Sequence, residues 1–208
     1  MNTLEKFGNI PVDFNALSNA LKKYSYPADK LSALEKAGEI YRLKKGLYVV
    51  SEQISGKKIS RELIANHLYG PSYISCETAL SYYGLIPERV YTFRSLTTRR
   101  SRIISNKFGH YEYITTPSDY FYLGIRQIVM EGSYAFIMAT PEKALCDLIT
   151  TTRMLRIQSV KAMSVYLEDD LRFEMTELEK FDRSIIEQCL KYGKKKTELK
   201  NLLKLLRI

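Results

Sequence analysis

The chain has 208 residues, 45% of them hydrophobic and 26% charged, with a formal charge of +9. That is enough material for one large or two modest folded domains, and the positive balance suits a nucleic-acid or acidic-protein partner. No apolar run reaches the roughly 18 residues that span a bilayer, and the N-terminus lacks the apolar core of a secretion signal, so the expected setting is cytoplasmic.

The first predicted element is an amphipathic helix within Asp13–Tyr24. Phe14, Leu17, Ala20, Leu21 and Tyr24 recur at spacings of three and four, and Asp13 is placed to cap it. Ser25-Tyr26 makes a turn, and Pro27 suits the first position of a second helix, where its missing N–H costs nothing. Along that helix Ala28, Leu31, Leu34 and Gly38 are predicted to face inward. Asp29, Ser32, Ala33 and Lys36 then face outward, with Lys30 on the flank. A hairpin follows, Ile40–Leu43 and Leu47–Val50 about a turn at Lys44-Lys45-Gly46.

Helix, turn, helix and basic hairpin in that order is the layout of a winged helix-turn-helix, which offers one helix to the DNA major groove and a charged wing to the flanking backbone. The expected groove residues are Lys30, Ser32, Ala33 and Lys36; Arg42, Lys44 and Lys45 are expected on phosphates. The bland alternative is a small domain whose lysines are merely solvated or that serves only protein contacts. Residues 1–56 carry 8 basic and 6 acidic side chains, against 13 and 9 in residues 151–208. Any DNA binding therefore depends on locally placed charge rather than bulk charge.

Ser51–Lys58, with Ser55-Gly56, reads as a linker, dividing a DNA-binding domain over residues 1–56 from a second domain over 57–152. Ser60 is expected to cap a helix that Gly70-Pro71 stops, with Ile59 and Ile64 packed across its start. A shorter helix runs from Ser75 to Gly84. Strand-like segments follow at Val90–Leu96, Tyr111–Thr115 and Tyr134–Ala139. Thr140-Pro141-Glu142 then opens a helix to Thr151, a capping residue followed by proline and acid. The fold class predicted is α+β, with a small mixed or antiparallel sheet. Residues 153–208 read as a helical extension packed on that domain. Leu178, Phe181, Ile185 and Cys189 form one stripe in it and Leu199, Leu202, Leu203 and Leu206 another, separated by Tyr192-Gly193 and Lys194-Lys195-Lys196.

An ordered set of motifs runs through these elements: Pro71-Ser72-Tyr73-Ile74-Ser75, Thr78-Ala79-Leu80, Tyr83-Gly84-Leu85-Ile86-Pro87, Thr97-Thr98-Arg99-Arg100 and Thr140-Pro141-Glu142-Lys143-Ala144-Leu145-Cys146-Asp147. With the N-terminal unit ahead of them, they resemble the AbiEi family of antitoxins over roughly residues 3–150. The resemblance implies a transcriptional autorepressor of a type IV toxin–antitoxin operon. It implies double-stranded operator DNA as one partner and a toxin resembling a nucleotidyltransferase as the other. The oligomeric state stays open.

Arg99, Arg100 and Arg102 form a candidate patch for an acidic partner, or else a loop whose arginines pair with nearby carboxylates. Glu142, Lys143 and Asp147 invite comparison with a metal-dependent nuclease. Adjacent Glu-Lys at a helix start, however, fits a cap-and-dipole role better. Ser75 reads as a cap rather than a nucleophile, and His67 has no triad partner. With Cys76, Cys146 and Cys189 widely spaced, neither a disulfide framework nor a metal cluster is expected, and no cofactor is implied. The chain is read as a non-enzyme. Two alternatives stand beside the antitoxin: a plain winged-helix regulator with a ligand or oligomerisation domain, and the nuclease.

Overall fold

The computed structural model describes residues 3–130 and 134–206; Met1, Asn2, Arg207 and Ile208, at the ends of the expected first and last segments, lie outside it. The N-terminal unit comprises β1 (Val12–Asp13), α1 (Phe14–Ala20), α2 (Pro27–Lys36), β2 (Ile40–Lys44) and β3 (Leu47–Val50). Asp13 caps α1, its carboxylate accepting from the Ala16 N–H at 2.8 Å, and Pro27 sits in the first turn of α2. Helix α1 stops at Ala20, short of Tyr24. Only Leu17 and Leu21 of the predicted stripe are buried, against Leu31 and Leu34 of α2 and against Ile40, Tyr48 and Val50 of the hairpin. Ala28, expected inside, is exposed, since Leu31 and Leu34 already fill the buried side of α2.

Strands β2 and β3 pair antiparallel about Gly46, whose φ of +78° favours a residue without a Cβ. The two-residue strand β1 pairs with β3, completing a sheet in the order β1-β3-β2. Nothing in the sequence announced β1, because two residues are too few to show alternation.

The hairpin has two buried faces. Ile40, Tyr48 and Val50 enter the N-terminal core, whereas Leu43 and Val49 enter a second and larger core beside Ile64 and Leu68. Each such side chain taken from water contributes about 1.5–3 kcal/mol, so the hairpin is fastened to both units. The expected linker is ordered too. It forms the short helix α3 (Glu52–Ser55), and the Glu52 carboxylate accepts the Ile59 N–H at 2.8 Å.

The second unit contains α4 (Arg61–Leu68), β4 (Ser72–Ile74), α5 (Cys76–Tyr82), β5 (Thr92–Thr97), β6 (Arg102–Asn106), β7 (Gly109–Thr115), α6 (Ser118–Phe121), β8 (Ile125–Met130), β9 (Tyr134–Ala139) and α7 (Pro141–Thr151). Its six-stranded sheet runs β6-β7-β5-β4-β9-β8. The β5/β7 and β4/β9 pairs are parallel and the others antiparallel, so the fold is α+β with a mixed sheet. Ser60 and Thr140 cap α4 and α7 through the Leu63 and Lys143 N–H groups.

The remaining elements are α8 (Val160–Val165), a π-helical turn at Tyr166–Asp170, a 3-10 turn at Met175–Lys180, α9 (Arg183–Tyr192) and α10 (Lys196–Leu205). Their buried residues, among them Leu178, Ile186, Cys189, Leu199 and Leu202, share the second core. The stripe expected over Leu178–Cys189 is broken, because Leu178 and Phe181 precede α9 and the helix turns Ile186 and Cys189 inward. Among the described residues no helix is long and apolar enough to cross a membrane.

Candidate nucleic-acid interface

Helix α2 presents Asp29, Ser32, Ala33 and Lys36 to solvent, the outward set read from the sequence, with Lys30 half-buried on the flank. The surface is small in relief. The Ser32 hydroxyl folds back to donate to the Ala28 carbonyl at 3.1 Å, and Lys30 lies over the Tyr24 ring at 5.2 Å. A helix with short outward side chains can seat closely in a groove about 12 Å wide.

The hairpin cations are not equivalent. Arg42 pairs with Glu35 of α2 at 2.7 Å and stacks over Tyr48, a contact that ties the hairpin to the helix beside it. Lys45, next to Gly46, is exposed. Lys44 points elsewhere. Its Nζ donates to the carbonyl of Leu68, the last residue of α4, where a helix leaves unpaired carbonyls and the negative end of its dipole. Lys44, expected on a phosphate, thus also caps a helix end and joins the two units.

That cap brings the hairpin to the turn between β5 and β6. Arg99 and Arg102 lie over the ring of Tyr69 at 5.9 and 5.8 Å, and the Tyr69 hydroxyl donates to the Arg100 carbonyl at 3.1 Å. Burial, then the charges of Arg102 and Arg99, holds Lys44 below the ordinary lysine pKa. The sequence assigned these cations to two separate sites. The tertiary structure makes them one basic surface, gathered around an aromatic residue that the sequence reading passed over. Lys107, also passed over, extends it, with Nζ 3.1 Å from the centroid of the Tyr41 ring.

The carboxylates within this part of the fold are committed to other cations. Glu35 takes Arg42, while Glu77 and Glu112 take Arg94. Among the described residues Arg99, Arg100 and Arg102 have no carboxylate partner. Like charges held together without counter-charge raise the local potential, and a polyanion relieves it.

The residues that suggested catalysis are arranged quite differently. Asp147 and Lys143 are both fully buried and 3.0 Å apart, and Asp147 also accepts the hydroxyls of Ser75 at 2.6 Å and Tyr73 at 3.0 Å. The Lys143 ammonium donates in addition to the Tyr120 carbonyl at 3.0 Å. This knot joins β4, α6 and α7. Ser75, expected to cap α5, spends its hydroxyl here instead. Glu142 turns away to accept the Asp182 N–H at the start of α9. Among the described residues there is no group of three or more His, Cys, Asp or Glu placed to hold a metal ion. Cys76, Cys146 and Cys189 are buried free thiols.

An open cleft of about 760 Å³ borders β6, β7 and the end of α7. On its wall Arg94 is held by Glu77 at 2.9 Å and Glu112 at 2.8 Å, and Arg102 and Arg153 line it as well. No protein-family model matches the sequence, and comparison with curated proteins finds no match.

Proposed function

We propose that this protein binds double-stranded DNA through a winged helix-turn-helix, and that it acts as the autorepressing antitoxin of a type IV toxin–antitoxin pair. Helix α2 enters the major groove with Lys30, Ser32, Ala33 and Lys36 toward the bases. Arg42 and Lys45 grip the flanking phosphates, and Arg99, Arg100 and Arg102 extend that grip from the second unit. The observation that carries the reading is the group of arginines around Tyr69, free of carboxylate partners among the described residues and continuous with the β2–β3 hairpin. The operon setting, and a nucleotidyltransferase-like toxin as the neutralised partner, rest on the ordered motifs between Pro71 and Asp147 and on nothing else. The reading requires no catalytic group.

The test is a set of fluorescence-anisotropy titrations of promoter duplex against wild type and a Lys45→Ala/Arg99→Ala/Arg102→Ala variant at several salt concentrations. Each lost phosphate contact flattens the slope of log K against log salt by about 0.9, so three lost contacts flatten it by about 2.7. Equal slopes for the two proteins refute the assignment of these cations. Co-expression with the adjacent gene product, scored for growth rescue, tests the antitoxin role separately.

A further inference from the structure

The outer edge of β8 is a docking edge, and we infer that it pairs with β8 of a second copy of this chain. On the inner side of the β8–β9 hairpin, the Ile137 N–H donates to the Asn66 side-chain oxygen at 2.5 Å and the Asn66 amide donates to the Ile137 carbonyl at 3.3 Å. Ile137 therefore directs both backbone groups away from β8. Gln127, which lies opposite it, belongs to a non-hydrogen-bonded pair of that ladder. The bond from the Thr140 N–H to the Gly124 carbonyl, at the end of the same ladder, fixes the same alternation. Ile125, Gln127 and Val129 consequently aim their N–H and C=O groups out of the sheet, while Arg126, Ile128 and Met130 bond to β9.

The inner edge of the hairpin is closed by Asn66. The outer edge is regular, carries no proline or lysine, and has Arg126 as its one charge. Folds commonly protect such edges with bulges, prolines or inward lysines, and this one has none of them. The face on either side of the exposed Gln127 carries exposed apolar side chains as well: Val129 is 69% and Ile137 42% exposed.

The edge is complementary to itself. An antiparallel pairing about a two-fold axis through Gln127 sets Gln127 against Gln127 of the second copy and Ile125 against Val129 of the second copy. All three outward residues then face outward residues, with two backbone bonds for each facing pair. Each Ile125–Val129 pair makes an apolar strip that flanks the Gln127 pair, and Gln127 itself lies in line with Ile137. Arg126 falls opposite Ile128 of the second copy, so the register opposes no like charges. The inference does not rest on DNA binding, and its failure leaves that reading untouched.

The test is the mass of the full chain in solution, by sedimentation velocity up to tens of micromolar protein. The wild type is expected at twice its 24.1 kDa chain mass. Gln127→Pro removes only an outward N–H, which an edge strand tolerates, and Val129→Lys places a charge on the apolar strip. Both are expected to weaken the dimer by about tenfold or more, a change of about 1.4 kcal/mol, with an unchanged circular dichroism spectrum. If the proline variant misfolds, Val129→Lys decides alone. A wild-type chain that stays at 24.1 kDa, or a dimer undiminished by Val129→Lys, overturns the inference.

Discussion

Replacing Asp147 with alanine is the sharpest test of how the second unit is held together. The carboxylate receives the Lys143 ammonium at 3.0 Å, the Ser75 hydroxyl at 2.6 Å and the Tyr73 hydroxyl at 3.0 Å, and neither charged side chain has any exposed surface. Removing it leaves a buried ammonium whose remaining partners are the Tyr120 carbonyl at 3.0 Å and the face of the Tyr120 ring at 3.1 Å. Breaking a buried pair from one side costs about 3–5 kcal/mol, and two orphaned hydroxyls push the value toward the upper end. For a chain of this size each kcal/mol lowers the melting temperature by about 2–4 °C, so thermal denaturation should show a fall of about 6–20 °C. Asp147→Asn keeps an acceptor for Tyr73 and Ser75 and should fall between the alanine variant and wild type. Lys143→Met with Asp147→Leu removes both charges and fills the space, and should recover much of the loss. An alanine variant that melts with the wild type refutes the buried-knot account. If that variant instead abolished a magnesium-dependent nuclease activity of the wild type, the pair would belong to chemistry rather than to folding.

Three further outcomes follow from the geometry. Lys44 is held below its ordinary pKa by burial and then by Arg102 and Arg99, so the unfolded chain binds this proton more tightly than the folded one. Stability attributable to Lys44 therefore rises with pH as the folded pKa is passed, up to the ordinary lysine value. Arg102→Ala should raise the Lys44 pKa, read as slower acylation of that amine at fixed alkaline pH; an unchanged rate disproves the coupling. A Cβ at Gly193 would lie 2.5 Å from the Cys189 carbonyl oxygen and 2.7 Å from Tyr120 Cε2. Gly193→Ala should cost about 1–3 kcal/mol by urea denaturation, and a neutral result means that α9 and Tyr120 shift freely. Asp13→Ala removes the acceptor at the start of α1 and should cost about 1 kcal/mol in the same assay, whereas Asp13→Asn should be nearly silent.

Features governed by neighbours in sequence were legible in advance. The caps at Asp13, Ser60 and Thr140, the proline at the start of α2, the glycine in the hairpin and the outward residues of α2 all depend on a few adjacent positions. Strands β5, β7 and β9, each rich in aromatic or β-branched residues, could be seen as well. Strands β6 and β8 could not. Both are sheet edges with mixed burial, so their side chains alternate poorly, and backbone pairing with an already formed neighbour makes them strands.

The sequence by itself determined the order of helices, turn and hairpin, the α+β class, and the supply of positive charge. Only the tertiary structure decided which charges stand together. Lys44 reaches a helix end 24 residues away, whose last carbonyls the helix itself leaves unpaired. Arg99 and Arg102 joined the hairpin because β6 lies beside β2, with the Asn106 side chain donating to the Leu43 carbonyl at 3.3 Å. Asp147 became a structural carboxylate because Tyr73 and Ser75, more than 70 residues earlier, converge on it in the core. Propensity and capping act over a few residues and can be read along the chain. Electrostatic environment depends on distances in space, which only folding sets.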